Sequence, residues 1–308
     1  MSRRRKKGNP VHGWINLDKP QGLTSTQALG KVRRILDANK AGHAGTLDPL
    51  ATGILPIALG EATKIIPYVQ DNDKTYSFTV TWGAATDTDD REGAVIETSA
   101  HQPSEADIRE AIPSFIGHIK QTPPQYSAIK IDGQRAYDLA RAGENPEMKS
   151  RIVEIHSLTL LAHRGTESDF RTQCGKGTYI RAIARDIARQ LGTCGHIAAL
   201  RREAVGHFTL ENAISLEQLE NLAHSAALDK ALHPLETPLD DIPALDLKSD
   251  EVARLKNGQA LSFVSRIDCN RLPEQHQSKT ILARFGNQAI ALVERNGADI
   301  KPVRVFNL

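Results

Sequence analysis

The clearest alternation of apolar and polar residues in this chain lies between Tyr76 and Trp82. Aromatic residues and a valine occupy one set of alternate positions, and serine and threonine occupy the other. A period of two residues places the two sets on opposite faces of an extended chain. The segment is therefore predicted to be a half-buried β-strand.

The other patterns are shorter and mix strand and helix periods irregularly. Helices are expected where apolar residues recur three or four positions apart behind a serine or threonine cap. The predicted strands are 14–19, 151–161 and 169–174, and the predicted helices are about 24–36, 104–115, 137–142 and 178–191. This mixture predicts an α+β fold, in contrast to a doubly wound sheet, in which strands and helices alternate regularly.

The C-terminal part of the chain has a different pattern. An acidic stretch after about residue 210 is interrupted by three prolines, which favours short helical pieces and a domain boundary near residue 245. Three strand-like runs follow at 279–285, 288–295 and 302–306, and Gly286-Asn287 forms a hairpin turn between the first two. We expect a small β-rich domain after residue 245.

Composition narrows the class of protein. A hydrophobic content of 40% and a charged content of 25% are ordinary for globular proteins, which excludes a wholly disordered or fibrous chain. No run approaches the ~20 apolar residues of a membrane span, and no apolar segment follows the basic residues 3–7 as in a secretory signal. The three cysteines are widely spaced and odd in number, so neither a disulfide framework nor a Cys-rich zinc site is expected. We expect a cytoplasmic protein.

Charge is segregated along the chain, although the formal net charge is only +2. Residues 171–207 carry seven Lys and Arg against two Asp and Glu, and residues 208–250 carry two against nine. A basic face can steer a polyanion such as a nucleic acid. Two solvated surfaces of opposite sign would give the same counts, and charge alone does not separate the two interpretations.

Asp48 lies in the most distinctive loop, a glycine-rich segment from Gly42 to Gly53. A loop carboxylate held by a cation can act as a nucleophile or a general base, but most Asp-Pro pairs are simple turns or helix caps. His43 is a candidate base or phosphate contact, a proton shuttle, or an ordinary hydrogen-bonded loop residue. No set of His, Cys and Asp has the spacing of metal ligands.

Arg181, Arg185 and Arg189 are spaced by four residues and share one face of a predicted helix. Such a stripe is normally solvated. The functional alternative is that Arg181, nearest the start of the helix, pairs with a catalytic carboxylate.

Three further residues have both a structural and a functional interpretation. Tyr76 and Tyr179 flank turns, where an aromatic ring either packs in the core or stacks on a flipped nucleobase. Lys19 ends the first predicted strand and is either a phosphate contact or a surface lysine.

Five ordered motifs resemble those of the TruB family, the bacterial tRNA pseudouridine-55 synthases. The resemblance extends from about Val11 to the C-terminus. The motifs are Leu17-Asp-Lys-Pro-x-Gly-x-Thr-Ser25; Gly42-His-x-Gly-Thr-Leu-Asp-Pro-x-Ala-x-Gly53 with Gly60-x-Ala-Thr-Lys64; Pro123-Pro-x-Tyr-Ser-Ala-x-Lys130 with Gly133-x-Arg-x-Tyr137; Gly177-Thr-Tyr-Ile-Arg-x-x-x-x-Asp186; and Leu200-Arg-Arg202.

The resemblance implies isomerisation of uridine 55 to pseudouridine in the tRNA T-loop by base flipping, without cofactor or metal. It implies that Asp48 is the catalytic residue, attacking C1′ of the ribose or abstracting a sugar proton to give a glycal. On the same pattern Arg181 orients Asp48, and Tyr76 stacks on the uracil and assists with the C5 proton. The implied substrate-lining residues are His43, Tyr179, Lys19 and Leu200.

The resemblance also implies a domain organisation and partners. Residues 1–10 form a basic flexible tail, 11–245 a pseudouridine synthase catalytic domain with a mixed or antiparallel sheet, 121–150 a thumb-like RNA-clamping insertion, and 246–308 a PUA-like RNA-binding domain. The expected partner is the tRNA T-arm, bound by a monomer with no obligate protein partner. Two alternatives remain open: a protein that chiefly remodels tRNA, and a guide-RNA-dependent paralogue.

Overall fold

The computed structural model describes residues 8–131, 133–144, 146–223, 228–273 and 280–308. Most of the predicted basic tail, residues 1–7, lies outside the described residues, as do residues 132 and 145 of the predicted insertion. The strands are β1 (Gly13–Lys19), β2 (Ala41–His43), β3 (Thr52–Leu59), β4 (Lys74–Trp82), β5 (Ala84–Thr86), β6 (Val95–Thr98), β7 (Gly117–Gln121), β8 (Lys130–Ile131), β9 (Gln134–Arg135), β10 (Arg151–His163), β11 (Glu167–Cys174), β12 (Gly195–Val205), β13 (Phe208–Thr209), β14 (Ala244–Asp246), β15 (Leu261–Ser262), β16 (Thr280–Phe285), β17 (Gln288–Asn296) and β18 (Asp299–Val305).

A large mixed sheet forms the first part of the chain. Its strand order is β1-β3-β12-β4-β11-β10-β7, with β2 added to β3 and β13 added to β12. The pairing of β12 with β3 is parallel, and the other described pairings in this sheet are antiparallel. The α+β class with a mixed sheet is thus confirmed.

Strand β4 lies inside this sheet, between β12 and β11. Its alternate residues are buried, as the period of two predicts. The ring of Phe78 stacks on Phe170 of β11 with centroids 5.3 Å apart, and Trp82 meets the same Phe170 edge-on at 6.3 Å. These aromatic contacts hold β11 against β4, the strand that carries Tyr76.

The helices pack beside the sheet and are α1 (Ser25–Ile35), α2 (Ile66–Asp71), α3 (Glu105–Ala111), α4 (Ala136–Arg141), α5 (Ile180–Gln190), α6 (Leu216–Ala223), α7 (Ser249–Lys256) and α8 (Arg266–Cys269). Thr24 caps α1, because its hydroxyl accepts a hydrogen bond from the backbone of Gln27 and the Gln27 side chain accepts one from Thr24. Helix α5 buries Ile180, Ile183 and Ile187 in the core. None of the helices in the described part of the chain is both long and apolar enough to cross a membrane.

A second sheet of five strands, ordered β14-β16-β17-β18-β15, forms the C-terminal part. Gly286-Asn287 joins β16 to β17 as predicted. This sheet packs on the first part of the chain, since Leu282, Leu292 and Phe306 share a buried cluster with Trp14 and Phe208. The structure thus contains the expected β-rich C-terminal region.

Strands β3 and β12 have no counterpart in the sequence prediction, yet they adjoin each other in the sheet. They come so close at Gly53 that an added Cβ would lie 2.1 Å from the carbonyl oxygen of Arg202. Gly53 also has a φ of +99°, which side-chain-bearing residues rarely adopt. The glycine therefore allows the loop that follows Asp48 to join the sheet.

Replacing Gly53 by alanine is expected to lower the free energy of unfolding by at least about 2 kcal/mol, because a backbone clash adds to backbone strain. Gly22→Ala is the matched control, because Gly22 has a φ of +83° but nothing within 4 Å of its added Cβ. That variant is expected to lose about 1 kcal/mol. Urea denaturation measures both, and equal losses would show that the approach of the two strands is not the cause.

Candidate active site

The loop that carries Asp48 is tied to the start of α1. The backbone N–H of Leu47 donates to the hydroxyl of Ser25 at 2.8 Å, and that hydroxyl donates back to the carbonyl of Leu47 at 3.0 Å. The N–H of Ala51 donates to the carbonyl of Asp48 itself at 3.1 Å. These bonds leave the carboxylate of Asp48 34% exposed on a fixed backbone.

Arg181 pairs with Asp48 from helix α5. Its Nε lies 3.0 Å from Oδ2, without the alignment of a hydrogen bond, and its Nη2 donates to Oδ1 at 3.3 Å. The Arg181 side chain is only 5% exposed, and it also donates to the carbonyls of Thr88 at 2.7 Å and Tyr126 at 2.8 Å. Asp90 lies 3.7 Å from its Nη1. A fixed cation thus faces both oxygens of an accessible carboxylate.

The arginine stripe is not a solvated face along its length. Arg185 is largely buried and pairs with Asp89 and Asp186, each at 2.9 Å. Only Arg189, in the last turn, is exposed. Of the two interpretations of the stripe, the solvated one is wrong for Arg181 and Arg185, because α5 turns this face toward Asp48, Asp89 and Asp90, which are distant along the chain.

The basic stretch 171–207 does not form an uncompensated basic face. Arg171 pairs with Glu203 at 2.7 Å, Lys176 with Asp71 at 3.0 Å, and Arg201 with Asp18 at 2.7 Å. Arg181 and Arg202 are buried. The count along the chain includes Glu203 but not Asp71 or Asp18, which lie outside this stretch.

Two cavities meet at Asp48 and Arg181. The larger cavity has a volume of about 640 Å³, and the smaller one about 440 Å³. The larger is lined by the predicted residues Tyr76, Tyr179 and Leu200 as well as by Asp48 and Arg181. The smaller is lined by Asp48, Arg181 and His43, together with Tyr126, Arg135, Tyr137 and Arg141 from the predicted insertion.

Tyr76 and Tyr179 occupy different settings in the larger cavity. Tyr76 is 8% exposed, and burial raises the pKa of its hydroxyl. The backbone of Tyr179 is held by the side chain of Gln121, which accepts at 2.8 Å and donates at 3.1 Å. The guanidinium of Arg151 lies 5.2 Å from the ring centre of Tyr179. Both rings therefore have fixed positions at the cavity wall.

His43 has a buried Nδ1 atom without a hydrogen-bond partner in the described part of the chain. Burial lowers the pKa of the imidazole, and the positive charge of Arg202 lowers it further. The neutral form is therefore favoured beside the smaller cavity.

Lys19 lines neither cavity, although its side chain reaches the loop that carries Asp48. Its side chain is fully buried, and Nζ donates to the carbonyls of Leu23 at 2.8 Å, Pro20 at 3.0 Å and Pro49 at 3.4 Å. Of the two interpretations of Lys19, the surface lysine is wrong, because the loops before α1 and after Asp48 close over the end of β1. The bond to Pro49 makes Lys19 a brace for the Asp48 loop.

Burial lowers the pKa of Lys19 from 10.5 to about 8, although the carboxylate of Asp48 opposes this shift. Between these pH values the unfolded chain binds the proton that the folded chain has lost, so stability rises with pH. From pH 8 to pH 10 the unfolding free energy of the wild-type protein is expected to rise by about 2 kcal/mol more than that of Lys19→Met. Urea denaturation at each pH measures the difference. Lys31→Met, at an exposed position, should follow the wild type, and parallel pH profiles for all three proteins would contradict the prediction.

Two further cations reach the larger cavity, and the sequence interpretation gave them no role. Lys74 is buried, donates to the carbonyls of Gln70 and Asn72, and has its pKa lowered to about 8 by burial. Arg202 is buried beside Tyr76. The Leu200-Arg-Arg202 motif marked this position, but no local pattern shows that its second arginine points inward. In the described residues, no group of three or more His, Cys, Asp and Glu is arranged as metal ligands would be.

The chain is similar in sequence to a known family along most of its length. Residues 33–180 match the TruB family pseudouridylate synthase N-terminal domain, and residues 181–240 match the tRNA pseudouridylate synthase B C-terminal domain. A relative from Caulobacter sp. (strain K31), called tRNA pseudouridine synthase B, is 50% identical over 99% of each chain. A relative of the same name from Rhodospirillum rubrum is 48% identical over 100% of each chain.

Solved structures share the fold. A chain of a Cbf5–Nop10–Gar1 complex is similar with a TM-score of 0.72 and 25% identity, covering 96% of this chain and 85% of that one. A chain of an H/ACA ribonucleoprotein bound to a substrate RNA is similar with a TM-score of 0.75 and 22% identity, covering 100% and 92%.

The mixed sheet, the Asp48 loop and these matches place the chain in the class of pseudouridylate synthases. Within that class the chain belongs to the TruB family.

Proposed function

We propose that this chain isomerises uridine 55 of the tRNA T-loop to pseudouridine. The observation that carries the proposal is the exposed carboxylate of Asp48, held by the buried guanidinium of Arg181 where two cavities meet. The name of the full-length relatives, tRNA pseudouridine synthase B, supports the choice of tRNA as substrate.

The larger cavity suits a flipped nucleotide. A base in a folded loop cannot be detached and turned while it stays stacked, so it must leave the stack. The cavity volume of about 640 Å³ lies within the range of about 300–1,000 Å³ that is usual for ligand pockets. In this proposal the ring of Tyr76 stacks on the uracil, and Leu200 and Tyr179 line its other sides.

Asp48 then acts on the sugar. Its carboxylate either attacks C1′, which forms an ester as the bond to N1 breaks, or removes the proton from C2′ to give a glycal. In both routes the uracil detaches, turns and rejoins C1′ through C5, as the ester bond to Asp48 breaks or C2′ regains its proton. C5 then loses its proton and N1 gains one. Arg181 fixes the carboxylate oxygens toward the ribose, and Tyr76 is placed to help remove the C5 proton.

The remaining predicted residues have supporting roles in the proposal. His43, in the smaller cavity, fills space next to the flipped nucleotides. Lys19 supports the Asp48 loop by donating a hydrogen bond to the carbonyl of Pro49. In this proposal Lys19 does not contact the substrate directly.

RNA is held chiefly through shape and backbone contacts, as is usual for folded RNA. The guanidinium groups of Arg135 and Arg141 lie 5.8 Å and 5.6 Å from the centre of the Tyr137 ring, and all three residues line the smaller cavity. This cluster supports the proposal that the insertion 121–150 clamps RNA.

The domain division at residue 245 and a PUA-like, RNA-binding role for 246–308 remain predictions of the proposal. A monomeric state, the absence of an obligate protein partner, and a cytoplasmic location remain predictions as well.

The experiment uses two T-arm stem-loop transcripts that differ only in uridine or cytidine at position 55. After incubation with the chain, each RNA is digested to nucleosides and analysed by chromatography. One pseudouridine per molecule is expected from the first transcript and none from the second. Pseudouridine in both would refute the assignment to position 55. Its absence from both, with the RNA still bound, would favour a tRNA-remodelling or guide-dependent protein.

A further inference from the structure

Arg202 lies on β12 directly opposite Tyr76 of β4 and lines the larger cavity. The residue is only 1% exposed. Nε donates to the carbonyl of Ile54 at 2.7 Å, Nη2 to Gly45 at 3.2 Å, and Nη1 to Thr46 at 3.4 Å. The guanidinium is thus held between the sheet and the loop that carries Asp48.

Among the described residues, the charge of Arg202 has no acidic partner. In the described part of the chain, no carboxylate lies within 4.0 Å of its nitrogens, whereas Arg181 and Arg185 each pair with two aspartates. A buried charge without a counter-charge is costly, even when carbonyl dipoles surround it. Such a cation at a cavity wall favours negative charge inside the cavity.

The positive potential of Arg202 extends across the site. Burial is the largest cause of the lowered pKa of His43 and of Lys74, and the positive charge of Arg202 is the second largest cause for both. A guanidinium has five N–H donors, of which the three carbonyls take three. The other donors lie beside Tyr76, the predicted stacking ring, at the wall of the larger cavity.

We propose that Arg202 stabilises the negative charge that uracil acquires when it leaves the ribose. This inference rests on the proposed function. When the bond between C1′ and N1 breaks, its electron pair stays with the uracil ring. C1′ is satisfied by a bond to an Asp48 oxygen or, in the glycal route, by a double bond to C2′. When C5 bonds to C1′, the bond from C1′ to the Asp48 oxygen breaks or, in the glycal route, C2′ regains its proton, and the charge leaves the ring. C5 then releases its proton and N1 takes one up, so the isomerisation balances without another reactant.

A purely structural role for Arg202 makes a different prediction. If the guanidinium only supports the Gly45 and Thr46 carbonyls, its loss slows every substrate equally. If it stabilises the leaving uracil, its loss matters less for a base that carries negative charge more easily. Fluorine at C5 withdraws electrons and makes uracil such a base.

The test compares Arg202→Met with the wild type on T-arm RNAs that contain uridine or 5-fluorouridine at position 55. Single-turnover rates of rearrangement are measured with saturating enzyme by nucleoside chromatography. With 5-fluorouridine, C5 keeps its fluorine and has no proton to release, so the product followed is the C5-linked nucleoside to which water has added at C6. The loss of rate caused by the substitution is expected to be at least tenfold larger for uridine than for 5-fluorouridine. The comparison is made within one protein preparation, so partial unfolding affects both rates alike.

Arg202→Gln is the second variant, because its amide keeps a donor for a loop carbonyl but lacks the charge, and it should show the same substrate dependence. Arg201→Met is the matched control, since its guanidinium pairs with Asp18 and does not line the larger cavity. Equal losses on both substrates in the Arg202 variants would overturn the inference. A wild-type chain inactive on both RNAs would instead refute the proposed function.

Discussion

Asp48→Asn is expected to lower the single-turnover rate of pseudouridine formation by at least about a thousandfold, since the amide is neither a nucleophile nor a base of comparable strength. The affinity for tRNA is expected to stay within a few-fold of the wild type. Asp48 contributes one partly exposed carboxylate to a surface that contacts a much larger RNA. Nucleoside chromatography measures the rate, and filter binding measures the affinity.

Asp71→Asn is the matched control for this prediction. Asp71 lines the same cavity, but its carboxylate is 63% exposed and pairs with Lys176 at the rim. Its replacement should leave the rate near that of the wild type. A residual rate near that of the wild type in Asp48→Asn would remove Asp48 from the chemistry.

Arg181→Lys is expected to lower kcat by more than tenfold, which corresponds to about 1.4 kcal/mol of activation free energy. The planar guanidinium reaches both oxygens of Asp48 and two backbone carbonyls at once, whereas an ammonium is a single point charge. KM is expected to change less than kcat, because Arg181 acts on the carboxylate more than on RNA binding. Steady-state kinetics separates the two constants.

Arg189→Lys controls for the same substitution on the same helix, at an exposed position. It should leave both constants unchanged. A loss of kcat below tenfold in Arg181→Lys would show that the fork geometry is not required.

The pattern of apolar and polar residues predicts those strands and helices in which buried residues recur at a fixed spacing along the sequence. Strand β4 and helices α1 and α5 follow this rule, because their apolar residues face one core. Strand β12 breaks the rule. In β12 the buried positions around the site are Leu200 and Arg202, and the second of these is a cation. The sequence of β12 therefore does not alternate between apolar and polar residues.

The errors in charge and exposure have one physical origin. Arg185, Arg201 and Lys19 find their partners in loops or strands that are distant in sequence. A count of charges along the chain cannot include partners that only the fold brings near. For the same reason, a count along the chain does not show that Arg202 lacks an acidic partner among the described residues.

The residues alone do not decide whether Asp48 pairs with Arg181. Only the resemblance of five ordered motifs to the TruB family favours this pair. The structure places the two side chains in contact. Their proposed chemical roles, like those of Tyr76, Tyr179, Leu200 and His43, remain predictions that only activity can test.

The measurement that tests the central claim most directly is tritium release from an unmodified tRNA transcript labelled at C5 of uridine. The wild-type chain and Asp48→Asn are assayed side by side, with no guide RNA, metal or cofactor added. C5 must lose its hydrogen if the base rejoins the ribose through C5, so release by the wild type and not by the variant is the predicted result. No release from either protein, with tRNA still bound, would contradict the claim that this chain isomerises uridine by itself.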